Sequence, residues 1–172
     1  MKYILQTERL ALREFVIADT DFIIELVNSP GWLQFIGDRK IKTTGQAKDY
    51  LEKGPMKSYT DNGFGLWMIE TKNDGVPVGM CGVLKRDSLD APDIGFALLP
   101  AYIGKGFAEE IAKATMNYAK DVLQLPAIFA ITVPHNAKSI RLLEKIGLKF
   151  NKKIISPATQ EELLLFSTAV PG

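Results

Sequence analysis

The chain has 172 residues, 47% hydrophobic and 24% charged, which suits one globular domain large enough to bury a real core. Its 21 basic and 20 acidic side chains leave a formal net charge of +1, so no global excess points to nucleic acid or an anionic membrane. A lone cysteine, Cys81, excludes an intrachain disulfide, and with a lone histidine, His135, the usual zinc ligand sets cannot be assembled, so no metal is expected.

The first residues, Met1 to Arg9, are too polar for a signal peptide, and no later stretch is long and apolar enough to span a membrane. A cytoplasmic protein is expected. Thr7 to Glu14 alternates, Leu10 and Leu12 against Arg9, Ala11 and Arg13, and reads as the first strand. Ala18 to Asp21 starts a helix carrying Phe22, Ile23, Leu26 and Val27, and Pro30-Gly31 is read as its stop. Thr43-Thr44 caps a second helix, broken near Gly54-Pro55, and Asp61-Asn62-Gly63 is a turn. Strands follow at Gly65 to Glu70, Val78 to Lys85 and Asp93 to Leu99, the first two joined by the hairpin turn Asn73-Asp74-Gly75. Cys81 lies in the apolar run of the second and reads as a small buried hydrophobe.

The longest helical pattern runs from about Phe107 to Leu123, with Ala108, Ile111, Ala112, Thr115, Tyr118, Ala119 and Val122 on one face. Ile128 to Val133 is a β-branched, aromatic run typical of a buried strand. Ala137 to Ile146 is a short helix that Gly147 can terminate, with Leu148 packing back on Leu143. Strands around Lys149 to Ile155 and Leu163 to Thr168 complete the pattern. The order β-α-α-β-β-β-α-β-α-β-β predicts an α/β arrangement with a mixed sheet.

The loop before the long helix is the most informative segment. A helix start leaves backbone N–H groups without partners, and Ser, Thr, Asp or Asn normally caps one. Ala101 to Ala108 contains none of these, so water or an anion must take that role. Gly104 and Gly106 let an anion approach the backbone, the helix dipole favours negative charge, and Lys105 adds a cation. A plain flexible turn is the alternative. The spacing matches neither a P-loop nor a GxGxxG fingerprint.

Three segments together carry a family resemblance. Asp93 to Glu110 resembles the acyl-CoA motif of the GNAT N-acetyltransferase superfamily, whose pyrophosphate loop reads Q/R-x-x-G-x-G/A. Ile103, Gly104, Lys105, Gly106, Phe107 and Ala108 occupy that loop; Gly106 and Ala108 match, whereas Ile103 departs from Gln or Arg. Thr7-Glu8-Arg9-Leu10-Ala11-Leu12-Arg13 and Asn136 to Leu148 resemble the TERLxLR and N-x-x-S-x-x-x-x-E-K-x-G-F segments of the branch of ribosomal-protein N-terminal acetyltransferases (RimJ/RimL-type).

The resemblance implies a GNAT-like α/β (α+β) fold: a mixed, mostly antiparallel central sheet of about seven strands with about four helices, as one acyl-CoA N-acyltransferase domain over residues 1–172. It implies acetyl-CoA as acyl donor and an amine acceptor, either a protein N-terminus or a small molecule, without metal, nucleic acid or membrane. A homodimer stays open. In this family the amine attacks the thioester directly, and a backbone N–H near Leu98 polarises the carbonyl while pantetheine runs along Leu98-Leu99. Asn136 is implied to contact CoA, besides being a good N-cap.

Asp93 matches a strand position often held by Glu in this branch, so it is either a direct or water-relayed base or a charge at a strand start. Ser139 is the thiolate-side candidate, because Leu143 stands where many GNAT enzymes carry Tyr; its other reading is a hydrogen bond at the helix start. His135, the one side chain that ordinarily titrates near neutrality, lies at the same junction. Trp32, Phe35 and Ile36 are read as an acceptor wall with Asp38 and Arg39 as polar contacts; core packing is the other reading of the aromatic residues. A non-catalytic acyl-CoA sensor is the second reading, and an NAD- or ATP-binding domain the third.

Overall fold

The computed structural model of the chain describes residues 2–168. Strands β1 (Tyr3–Gln6), β2 (Leu10–Arg13), β3 (Leu66–Thr71), β4 (Pro77–Leu84), β5 (Asp93–Leu98), β6 (Phe129–Thr132), β7 (Lys149–Ile155) and β8 (Glu162–Ser167) form one sheet in the order β1-β2-β3-β4-β5-β6-β8-β7. Every neighbouring pair is antiparallel except β5 and β6. The mixed, mostly antiparallel sheet is the expected one, with one strand more than expected.

The extra strand is β1. The run expected to form one strand from Thr7 is interrupted, because Thr7 to Arg9 make the turn between β1 and β2. The Thr7 N–H donates to the Leu10 carbonyl and the Leu10 N–H donates to the Thr7 hydroxyl, closing that turn locally.

The helices are α1 (Thr20–Val27), α2 (Pro30–Phe35), α3 (Thr44–Lys53), α4 (Pro55–Asn62), α5 (Phe107–Asp121) and α6 (Ala137–Lys145). Two of them correct the sequence reading. Pro30 and Pro55 open α2 and α4 instead of only ending what precedes them, since proline fits the first turn, where its missing N–H costs nothing. Gly63, at φ 77°, is the left-handed stop of α4 and not a free turn. The Thr43 cap is as expected: its hydroxyl accepts from the Gln46 N–H, and the Gln46 side chain accepts in return from the Thr43 N–H.

Two cores lie on the two faces of the sheet. On one face Leu10, Leu12, Trp67, Cys81 and Ile94 pack with Ile111 of α5 and Leu143 of α6. On the other, Phe15, Met68, Met80 and Leu99 pack with Phe22 and Ile23 of α1, Trp32 of α2 and Leu51 of α3. Because strand side chains alternate, the central strands β3, β4 and β5 feed both cores. Among the described residues no helix is long and apolar enough to cross a membrane.

Candidate functional site

The central feature is the junction of β5 and β6. Their pairing is confined to Asp93 opposite Phe129, where the Phe129 N–H donates to the Pro92 carbonyl at 2.8 Å. Beyond this point the strands part. On its other edge β5 stays fully paired with β4, and the Leu99 N–H donates to Val78 at 2.9 Å. Bonding positions alternate along an antiparallel ladder, so the main-chain groups of Phe96 and Leu98 turn the other way, into the gap. That gap is closed at Asp93 and open towards the ends of both strands.

The glycine loop stands at the open end. Gly104 and Gly106 take φ of 85° and 79°, a region that side-chain-bearing residues avoid. Gly106 occupies the cap position of α5, and no side chain bonds there. The first N–H groups of α5 therefore have no intrahelical partner. Ile103, Gly104, Lys105 and Gly106 are exposed, while Phe107 and Ala108 are half-buried. Glu109 and Glu110 lie in the first turn of α5, and Glu110 is turned away from the loop onto Thr7 and Arg9.

Asn136 caps α6, accepting from the Ser139 N–H at 3.2 Å. Ser139 is half-buried one turn into that helix. Leu143 is buried in the first core and turned from solvent. His135 lies against Phe35, ring centres 5.5 Å apart. A groove of about 420 Å³ separates α2 from the end of β6, lined by Leu33, Phe35, Ile36, Val133, His135 and Glu162.

One acceptor-side expectation is corrected. Trp32 is 5% exposed and belongs to the second core, so it does not line the groove. Asp38 accepts from the Lys40 N–H in an exposed turn, which is how a short acidic side chain closes its own loop. Of the expected acceptor wall, Phe35 and Ile36 border the groove.

Asp93 is 1% exposed, and its Oδ1 accepts from Arg86 Nε at 2.9 Å. Burial pushes its carboxyl up, and the Arg86 guanidinium pulls it back only in part. Leu98 lies five residues further along the strand, roughly 16 Å away at about 3.3 Å per residue. A carbonyl held at Leu98 is out of direct reach of Asp93; one held at Phe96 is nearer. Arg86 lines a second groove of about 440 Å³ beside β6, with Phe129, Ile131 and Leu165 as its apolar floor and Asp90 and Lys152 on its rim.

Arg86 was not legible as a site residue, because nothing local marks a loop arginine seven residues before its partner. The Arg9 and Glu110 contact was also missed, although the TERLxLR segment flagged Arg9 as part of a motif. Among the described residues no cluster of His, Cys, Asp and Glu could hold a metal ion.

Residues 9–149 match the family model described as an acetyltransferase (GNAT) domain. The uncharacterized protein YkkB of Bacillus subtilis (strain 168) is 28% identical over 155 residues, covering 87% of each chain. The acetyltransferase of Agrobacterium tumefaciens str. C58 superposes with a TM-score of 0.77 at 25% identity, over 97% of this chain and 94% of that one. The ribosomal L7/L12 acetyltransferase RimL, solved with coenzyme A, superposes with a TM-score of 0.79 over 96% of this chain and 97% of that one; at 13% identity the likeness is one of fold.

Proposed function

The chain belongs to the GNAT acetyltransferase family, and we propose that it moves the acetyl group of acetyl-CoA to a primary amine, on a protein N-terminus or a small molecule, by direct attack on the thioester. The supporting observation is the parting of β5 and β6 beyond Asp93 and Phe129, with an uncapped helix start and two positive-φ glycines at the open end. A diphosphate fits there because several N–H groups lack partners and the α5 dipole favours an anion.

In this reading residues 1–172 act as one acyltransferase domain. Gly104 to Ala108 hold the diphosphate, Asn136 borders the same cofactor, and the main chain of Phe96, Leu98 and Leu99 lies along the pantetheine arm. A main-chain N–H turned into the gap polarises the thioester carbonyl, and stabilising the developing oxyanion is the largest service the protein offers. The acceptor comes from the face bearing both grooves, since α5 and α6 fill the other. Phe35 walls its path. The amine attacks the carbonyl carbon, the carbon–sulfur bond breaks, and the thiolate takes a proton from Ser139 or from water near it. Asp93 receives the amine proton through water, since burial beside Arg86 denies it direct contact.

CoA release measured across a panel of primary amines and peptides tests this. Turnover with at least one amine, falling in Asp93→Ala and Ser139→Ala, is expected. Tight acetyl-CoA binding with no CoA released from any amine sinks the enzymatic reading. It would leave a non-catalytic acyl-CoA sensor, which the buried Leu143 and the Arg86-bound Asp93 favour. Calorimetry with CoA, NAD and ATP separates both from a nucleotide-binding domain; only CoA is expected to bind.

A further inference from the structure

We propose that Arg9, in the turn between β1 and β2, is a positioning residue that fixes the Lys105–Gly106 peptide so that its N–H faces the bound diphosphate. This rests on the reading of the loop as the CoA diphosphate site. Arg9 Nη1 donates to the Lys105 carbonyl at 2.9 Å, and Arg9 Nε donates to Glu110 Oε1 at 2.7 Å. The guanidinium lies over the Phe107 ring, 4.7 Å from its centre. Nη2 stands 3.3 Å from where a Cβ on Gly106 would be. One side chain thus touches Lys105, Gly106 and Phe107, the residues around the helix start.

Glu110 anchors the arginine in turn. Its Oε2 accepts from the Thr7 hydroxyl at 2.6 Å and from the Arg9 main-chain N–H at 2.9 Å. The turn and the first turn of α5 are therefore latched together by a carboxylate that accepts from both sides of Arg9.

The loop needs such a brace. Gly104 and Gly106 bring no side chain to restrain it, and a Cβ on Gly104 would meet nothing within 4 Å. A peptide beside a glycine rotates against little steric resistance. In a trans peptide the C=O and N–H point in opposite directions. Holding the Lys105 carbonyl towards Arg9 turns the Gly106 N–H away from Arg9, to the side where the first N–H groups of α5 lie open. The planar fork of arginine can hold a carboxylate and a carbonyl at once, whereas the ammonium of lysine is a point charge.

Calorimetry on the whole chain with CoA and with pantetheine, which lacks the diphosphate, tests the brace, with melting temperature recorded in parallel. Arg9→Gln is expected to weaken CoA binding about tenfold to a hundredfold, the range for a lost charge-assisted hydrogen bond. Pantetheine binding is expected to stay within about twofold, because it does not use the cradle. Arg9→Lys is expected to stay weakened, because it lacks the fork, and it carries the same comparison should Arg9→Gln not fold. Equal losses for CoA and pantetheine, or full recovery with lysine, overturn the brace. Unchanged CoA affinity in Arg9→Gln overturns it too while leaving the loop reading intact; a wild-type chain that does not bind CoA overturns the loop reading itself.

Discussion

Arg9 and Arg13 stand four residues apart in one segment, and each bonds a glutamate from a distant element. Arg13 lies inside β2 with 6% of its side chain exposed, donating Nε to Glu70 and both Nη groups to Asp19. Arg9 lies in the turn before that strand with 45% exposed, and it divides its donors between Glu110 and the carbonyl of a loop residue. The first ties together two strands and the start of α1. The second ties a turn to a loop that has its own work. Burial decides the difference: a desolvated pair cannot lose one member cheaply, whereas an exposed one can, so the exposed pair is free to serve position instead of stability.

The largest effect is expected from Arg13→Ala. It leaves Glu70 and Asp19 without their cation in a nearly dry site, and breaking such a pair costs about 3–5 kcal/mol. Urea unfolding followed by circular dichroism measures this; a loss below about 1 kcal/mol would erase the contrast with Arg9. Asp93→Asn probes the third arginine–carboxylate pair. Burial raises the folded Asp93 carboxyl, so its contribution is stabilising below the ordinary range near ~3.9 and is lost as pH rises through the folded value. The asparagine variant lacks that loss, so its melting temperature is expected to gain on wild type from acid to neutral pH. A difference independent of pH would show that Arg86 cancels the burial entirely.

Arg9→Gln comes next on the stability scale. Exposed pairs contribute about 0.2–1 kcal/mol, so its unfolding curve is expected to lie close to wild type while its CoA affinity falls. A loss as large as that of Arg13→Ala would make the two arginines alike. The smallest effect is expected from Glu110→Gln. Burial alone would raise the Glu110 carboxyl, but the bonds from Thr7 and from the Arg9 main chain and side chain together hold it below its usual range. A lowered folded value gives stability that is present above the ordinary range near ~4.3 and lost as pH falls through the folded value. The gap in melting temperature between wild type and Glu110→Gln is therefore expected to be constant around neutrality and to close in acid.

Much of this architecture is legible locally. Apolar spacing on α5 and the turn residues between β3 and β4 are read from positions a few residues apart. The missing cap before α5 is a property of eight consecutive side chains, Ala101 to Ala108, and the structure places Gly106 there without one. Pro30 and Pro55 misled because proline both ends and begins helices, and only packing of the following turn decides which. Trp32 was open to two readings because an aromatic residue at helical spacing has the same local signature whether it lines a groove or fills a core.

The sequence by itself determined most of the elements, the family and the missing cap at the α5 start, because each of these is written in residues close along the chain. Only the tertiary structure decided where β5 and β6 part, that Asp93 is held by Arg86, and that Arg9 reaches across 101 residues to Glu110 and the loop. Ion pairs of that separation leave no periodic trace; they exist only once the sheet has brought the β1–β2 turn beside the first turn of α5.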